Sequence, residues 1–220
     1  MSARLVKLSE DELQRLDAAL HDARFRALLG RGEWENLPTE VQKRFSKRLG
    51  GAETALYRGL VVDMHMSPIG WLLAQACRLF GAPLPLCREA GRAAIVSVSE
   101  DPLGGGQFWT RIYARPSGFP QVIHSAKRFV GRSGLEEYLG RGLGMALGLE
   151  ALKDGLAFVS EHYFLRIGGR RLRLPRAITP GTARITHRQI AGRTFMFELI
   201  VEHPWAGKLI HQKVLFDDVD

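Results

Sequence analysis

Cysteine is scarce in this sequence, which has two, Cys77 and Cys87, in 220 residues. Two cysteines are too few for the disulfide framework of a small secreted scaffold. Neither has a partner at the spacing of a zinc site. The sequence therefore predicts two free thiols.

Long apolar runs are also missing, since no stretch approaches the roughly 18 to 20 apolar residues of a membrane-spanning helix. The start of the chain lacks the basic and then apolar order of a signal peptide, because Glu10, Asp11 and Glu12 follow closely behind Met1. These two absences predict a cytoplasmic protein without a membrane span.

Recognised catalytic and metal-binding motifs are absent as well. The seven histidines form no His-Glu-x-x-His helix or other familiar ligand spacing, so no metal site is predicted. The chain has no Gly-x-Ser-x-Gly elbow of a serine hydrolase. The glycines at 104–106 lead into a predicted strand and not into a helix, so they lack the helix dipole of a phosphate-binding loop. No cofactor is predicted.

Positive charge is in excess, with a net charge of +8 and a pI near 9.9. The densest basic run, Arg170-Arg171-Leu172-Arg173-Leu174-Pro175-Arg176, follows the turn Gly168-Gly169. The favoured interpretation is a solvated strand edge protected by its charge. The alternative is a nucleic-acid-binding surface, which is the less favoured partner because aromatic-interleaved basic motifs are absent elsewhere.

The sequence predicts three helices, two of them in an N-terminal helical part at residues 1–54 and one within the sheet domain. A capping box at residues 9–12, followed by leucines at helical spacing, predicts a helix from Glu10 to Leu29 that stops at Gly30. A second helix is predicted from Thr39 as its N-cap to Gly50. A third is predicted over residues 67–80, with Ser67 as N-cap and Pro68 at the first helical position.

Residues 55–220 otherwise alternate with period two between short turns. Residues 55–64 form a first strand that Gly59 weakens, and further strands are predicted at 92–99, 107–114, 121–130, 143–152, 156–167, 183–190, 194–202 and 208–216. Short connections favour antiparallel neighbours. We predict an α+β protein, with N-terminal helices and an antiparallel meander sheet that packs on a helix or curls into a barrel around an internal pocket, in one compact domain.

A hairpin at residues 105–132 places Trp109, Arg111 and Tyr113 on one strand face. Two flat apolar surfaces beside a permanently charged guanidinium suit a ligand with an apolar body and an acidic group. The same pattern also suits an arginine stacked between aromatic rings or paired with a structural carboxylate. We predict that these three residues line a pocket for a small apolar or amphipathic acid.

Glu161 lies on the odd face of a strand with Val159, Tyr163 and Leu165. If that face points inward, the buried carboxylate needs a partner, and Arg111 is the predicted one. The pair would be either a ligand contact or a structural bridge. If the even face points inward, Ser160 and His162 are the polar occupants instead.

Histidine and glutamate also offer proton-transfer chemistry, because histidine titrates near neutral pH. The second functional hypothesis is therefore an isomerase or hydrolase that uses the same pocket, with His124 or Glu161 as the base. His124 lies on the strand next to the Trp109 strand, and a surface histidine is the alternative.

Six short patterns resemble, in order, those of a bacterial family called domain of unknown function 4166. The segments are Val41-Gln42-Lys43-Arg44-Phe45, Trp71-Leu72 through Gly81-Ala82-Pro83-Leu84-Pro85, Trp109-Thr110-Arg111, Leu174-Pro175-Arg176, Gly192-Arg193-Thr194-Phe195-Met196-Phe197 and Pro204-Trp205-Ala206-Gly207-Lys208-Leu209. The resemblance implies no reaction. It implies a functional association with a separate nucleotide-binding oxidoreductase, because family members occur alone or fused to such a domain. The chain departs from the pattern at residues 210–213.

Overall fold

The computed structural model describes residues 22–50, 53–79, 81, 84–130 and 134–219. Its strands form one antiparallel sheet in the order β6-β5-β4-β3-β2-β1-β11-β10-β9-β7-β8. They are β1 (Thr54–Met66), β2 (Ala93–Asp101), β3 (Gly106–Tyr113), β4 (Gln121–Val130), β5 (Gly134–Gly140), β6 (Leu143–Leu152), β7 (Gly155–Ile167), β8 (Arg170–Arg173), β9 (Thr182–Ala191), β10 (Thr194–His203) and β11 (Gly207–Asp218).

Pairing between β6 and β7 closes ten of these eleven strands into a barrel, and β8 extends the end of β7. Closure removes exposed sheet edges. Of the two arrangements predicted for the sheet, the barrel is confirmed. The helical part of the predicted α+β class is minor, because the described helices are short and the barrel dominates the fold. The nine predicted strands are all present, to within two residues at each end.

Two strands, β5 and β8, were not among the predicted strands. Each adjoins a two-residue turn in which both residues have positive φ, at Arg141-Gly142 before β6 and at Gly168-Gly169 before β8. Such turns match the twist of antiparallel strands. β8 consists of Arg170–Arg173 and is exposed throughout, so the basic run is the charged strand edge that was favoured.

Helices α1 (Arg24–Leu29), α2 (Arg31–Glu35) and α3 (Thr39–Ser46) close one end of the barrel. The ring of Phe25 in α1 packs against Phe45 of α3 and against Phe129 and Phe158 of the barrel. We call this end the plugged end. The predicted stop of the first helix at Gly30 is confirmed, and the part before residue 22 lies outside the described residues. The predicted N-cap Thr39 is wrong by one residue, since Pro38 occupies that position.

Helix α4 (Pro68–Leu79) crosses the opposite end, which we call the mouth. Its predicted N-cap is confirmed, because the Gly70 amide donates to Ser67 Oγ at 3.0 Å. A Cβ atom on Gly70 would lie 2.1 Å from Leu209 O, so only glycine lets the helix rest on β11. At the other end of the helix, Arg141 Nη1 donates to Leu79 O at 2.9 Å. The helix is thus fixed at both ends across the mouth.

Candidate functional site

The inner wall of β3 carries the residues that the hairpin pattern placed on one face. Trp109 and Tyr113 are buried and Arg111 is partly buried between them, while Phe108 on the other face is exposed. The predicted facing of this strand is therefore confirmed. Trp109 lies deepest, with its ring centroid 6.0 Å from that of the buried His187.

A cluster of three charges occupies the barrel interior. Glu137 Oε1 is 3.4 Å from Arg111 Nη2, and Glu137 Oε2 is 3.2 Å from Lys127 Nζ. Arg111 Nη1 also donates to Ser125 Oγ at 3.1 Å. Lys127 Nζ lies 4.5 Å from the centroid of the Trp109 ring, which adds a cation–π contact.

Burial and charge act in opposite directions on this cluster. Burial lowers the pKa of Lys127 to about 8, although the Glu137 carboxylate opposes that shift. Burial alone would raise the pKa of Glu137, but Lys127 and Arg111 outweigh burial and lower it to about 2. At neutral pH the cluster therefore contains two cations and one carboxylate.

His187 adds no positive charge to this interior. Burial lowers its pKa well below the usual value, and the nearby cations Arg44, Lys127 and Arg111 lower it further. Its ring packs among aromatic side chains, stacked on Phe195 and edge-on to Phe45, Phe158 and Phe197. It is a neutral core histidine at pH 7.

A cavity of about 420 Å³ lies between the charge cluster and the mouth. Arg111 and Glu137 of the charge cluster lie in its wall, together with Tyr113 and Tyr163. Helix α4 contributes Leu73, Ala76 and Cys77 toward the mouth. The remaining wall is largely aliphatic and includes Ile123, Leu139, Met145, Leu165, Ile185, Leu199 and Val201.

Both tyrosines of the cavity wall keep their protons over the physiological pH range. Burial raises the pKa of Tyr113 and of Tyr163 to about 12. The hydroxyl of Tyr113 donates to Gln212 Oε1 at 3.2 Å. Arg111 is therefore the cation that the cavity meets, because the Lys127 side chain is only 1 % exposed and is absent from the lining.

The predicted Glu161–Arg111 ion pair is wrong. Ala146 pairs with His162 and Leu147 with Ser160, so Glu161 is the extra residue of a β-bulge and is exposed. The bulge shifts the alternation of β7, with Phe158 and Ser160 buried before it and Tyr163 buried after it. The prediction that the even face points inward is therefore correct before the bulge, and the prediction that the odd face points inward is correct after it. The partner of Arg111 is Glu137 on β5.

His124 also lies outside the cavity. It is exposed on β4, where its Nδ1 is 3.1 Å from Thr110 Oγ1 on the outer surface. The assignment of His124 or Glu161 as a base inside the pocket is therefore wrong, because neither side chain reaches it.

Sequence reasoning missed Glu137 and Lys127, the two residues that complete the cluster. Glu137 belongs to a strand that was not predicted, in which two consecutive glutamates and two flanking glycines hide the alternation. Lys127 could have been found from the hairpin register. Ser125 lies opposite Trp109, so Ser125 and Lys127 share the inward face of β4.

No group of three or more His, Cys, Asp or Glu residues in the described part of the chain could hold a metal ion. Among the same residues, no helix is long and apolar enough to cross a membrane.

Comparison with known proteins identifies the family. Residues 37–216 match the model of a family described as a domain of unknown function, DUF4166, so the chain belongs to that family. No curated protein and no solved structure matches the chain.

Proposed function

We propose that this member of the DUF4166 family binds an apolar molecule with a single acidic group inside its barrel. The acidic group contacts Arg111, and the apolar body fills the cavity between Arg111 and helix α4. The observation that carries the proposal is a largely aliphatic cavity that ends on a charge cluster with one cation in excess.

The excess charge defines the polar group of the ligand. Charged groups inside a protein are costly unless they are paired. Glu137 neutralises only one of the two cations, and Lys127 is its more deeply buried partner. A ligand carboxylate on Arg111 would give two cations and two anions, and the planar guanidinium can donate two parallel hydrogen bonds to it.

The wall defines the rest of the ligand. Side chains such as Ile123, Met145, Leu165 and Ile185 offer no hydrogen bonds to a polar body. The volume of about 420 Å³ lies within the range of small-molecule sites, which is about 300 to 1,000 Å³. A fatty acid or another amphipathic carboxylic acid has this combination of a tail and one charge.

Trp109, which was predicted to line the pocket, is not among the residues of the cavity wall. Trp109 supports the floor by packing against Lys127 and Arg111, and Tyr113 forms part of the wall. No observation favours proton-transfer chemistry in this cavity. Association with a nucleotide-binding oxidoreductase stays a prediction.

Arg111→Met is the variant that tests the proposal. It leaves Lys127 and Glu137 as a balanced pair, so the variant is expected to fold. Binding of a long-chain fatty acid and of the alcohol with the same chain is measured by displacement of a fluorescent apolar probe. Loss of a charge-assisted contact should weaken acid binding by roughly 10- to 100-fold and leave alcohol binding unchanged.

Arg184→Met is the matched control, because Arg184 pairs with Glu150 on the outer surface. It should bind acid and alcohol as the unchanged protein does. The proposal is wrong if the unchanged protein binds acid and alcohol equally, or if Arg111→Met binds the acid with undiminished affinity.

A further inference from the structure

The outer face of helix α4 is apolar and uncovered. Leu72 and Leu79 are 62 % and 71 % exposed, and Ile69 and Trp71 are exposed beside them. Arg78 is the one charged residue of this helix. A helix that contributes Leu73 and Cys77 to the cavity thus presents a second apolar face to the outside.

Other elements at the mouth expose large apolar side chains as well. Phe119 in the β3–β4 connection is 91 % exposed, and Trp205 in the β10–β11 turn is 80 % exposed. Ile178, in the 3₁₀ helix Arg176–Ile178, is exposed beside the cavity that it lines. The antiparallel order brings all of these connections to the end that α4 crosses.

Arginines occur in the same mouth segments as these apolar residues. The mouth segments 79–93, 113–121, 139–143, 166–182 and 202–208 contain ten Lys or Arg residues and two acidic residues, Glu89 and Glu202. Glu89 pairs with Arg92. The exposed members of the basic set are Arg88, Arg115, Arg141, Arg166, Arg170, Arg171, Arg173, Arg176 and Lys208.

The plugged end differs from the mouth in its balance of charge. Its basic side chains are interspersed with acids and form ion pairs, including Arg24 with Asp22, Lys43 with Glu40, and Lys47 with Asp218. The positive excess and the apolar helix therefore occur together at the mouth.

We infer that the mouth docks on the surface of a bilayer that contains anionic phospholipids. Helix α4 lies in the interface with Leu72 and Leu79 among the acyl chains, and the surrounding arginines contact phosphate groups. Charge complementarity selects this occupant, because uncovered apolar residues within a basic rim match acyl chains beneath an anionic layer. The inference rests on the proposed function in one respect, since docking places the cavity mouth at a source of apolar acids.

Vesicle flotation tests the docking surface. Vesicles of phosphatidylcholine alone are compared with vesicles that also contain phosphatidylglycerol, without added fatty acid. The protein should float with the anionic vesicles and not with the neutral ones, and Trp71 and Trp205 should give a blue-shifted fluorescence on binding. Leu72→Glu should reduce binding by about tenfold or more.

Leu103→Glu is the matched control. Leu103 is fully exposed, but it lies in the β2–β3 turn at the plugged end. This variant should float as the unchanged protein does, and circular dichroism should show that both variants are folded. An equal loss in Leu72→Glu and Leu103→Glu would overturn the inference, as would equal binding to neutral and anionic vesicles.

A second set of variants tests the charges. Replacing Arg170, Arg173 and Arg176 by Gln should reduce binding to anionic vesicles by about tenfold or more, because each basic residue near an anionic surface contributes to binding. The control replaces Arg31, Lys43 and Arg193, which are exposed at the plugged end. If the two triple variants bind anionic vesicles equally well, the arginines at the mouth do not contribute to membrane binding and the inference is wrong.

The remaining outcomes separate docking from the proposed function. A dimer that Leu72→Glu dissociates, without vesicle binding, would assign the face to self-association and overturn the inference. Vesicle binding by a protein that binds no fatty acid in solution would remove the proposed function and leave docking intact. Fatty-acid binding that needs Arg111, without vesicle binding, would overturn the docking inference and leave the proposed function intact.

Discussion

At the scale of single residues, Glu137 is the one carboxylate of the charge cluster, and it pairs with both Lys127 and Arg111. Glu137→Gln would leave two cations close together and away from water. Removing one partner from a buried ion pair costs about 3 to 5 kcal/mol. We expect the lower part of this range, about 3 kcal/mol in the free energy of unfolding from urea denaturation, because Lys127 can release its proton when its carboxylate partner is lost.

The cost of this substitution should depend on pH. The pKa of Glu137 falls from 4.5 to about 2 on folding, so the unfolded chain takes up this proton at a higher pH than the folded protein. The stability due to Glu137 is therefore complete above pH 4.5 and is lost as the pH falls toward 2. Between about pH 6 and pH 3, the difference in unfolding free energy between the unchanged protein and Glu137→Gln should narrow by roughly 2 kcal/mol.

Glu150→Gln is the control for this pair of measurements, because Glu150 pairs with Arg184 at the surface. Exposed pairs contribute about 1 kcal/mol or less. A Glu137→Gln variant that loses no more stability than this control, or a difference that does not narrow in acid, would show that Glu137 is not the counter-ion of the interior.

At the scale of elements, alternation and turn chemistry predicted nine of the strands to within two residues, because antiparallel strands with one buried face carry that pattern directly. The pattern could not reveal the bulge at Glu161. One extra residue reverses the facing of everything after it, and no residue type marks the position.

The site was predicted only in part for a related reason. Trp109, Arg111 and Tyr113 lie on a regular strand, so their common face followed from period two alone. The partner of Arg111 depends on which strand lies two positions away in the barrel, and Glu137 reaches it from β5 across β4. Although β3, β4 and β5 are consecutive neighbours, the pair was missed because the adjacent glutamates and the glycines of β5 hide its alternation.

Helix α4 gives the prediction that belongs to this scale. A Cβ atom at position 70 would lie 2.1 Å from Leu209 O, so Gly70→Ala must push the helix away from β11. Alanine favours helix formation by about 1 kcal/mol, but forced displacement of a packed element costs about 1 to 3 kcal/mol. We expect a net loss of unfolding free energy and faster amide hydrogen exchange in α4.

Gly32→Ala is the matched control, because a Cβ atom there would meet nothing within 4 Å in helix α2. That variant should be as stable as the unchanged protein or slightly more stable. If Gly70→Ala behaved in the same way, helix α4 would not depend on close contact with β11.

At the scale of the whole molecule, charge is distributed unevenly along the barrel axis. The chain carries a net charge of +8, and the described arginines are in excess over acids in the mouth segments, while acids balance the bases at the plugged end. A field of this kind accelerates the arrival of an anion and has no such effect on a neutral molecule. Entry into the cavity should therefore distinguish an acid from its alcohol before either reaches Arg111.

Stopped-flow measurement of association rates tests this field. The range of charge interactions in solution falls from about 30 Å at about 0.01 M salt to about 8 Å at about 0.15 M. The association rate of a fatty acid should fall by about tenfold over that interval, whereas the rate of the matching alcohol should stay constant. Replacing Arg170, Arg173 and Arg176 by Gln should remove most of the salt dependence, and replacing Arg31, Lys43 and Arg193 should not. If the association rates of acid and alcohol depend on salt in the same way, the mouth admits ligands without regard to their charge. Discrimination between acid and alcohol would then depend on Arg111 alone.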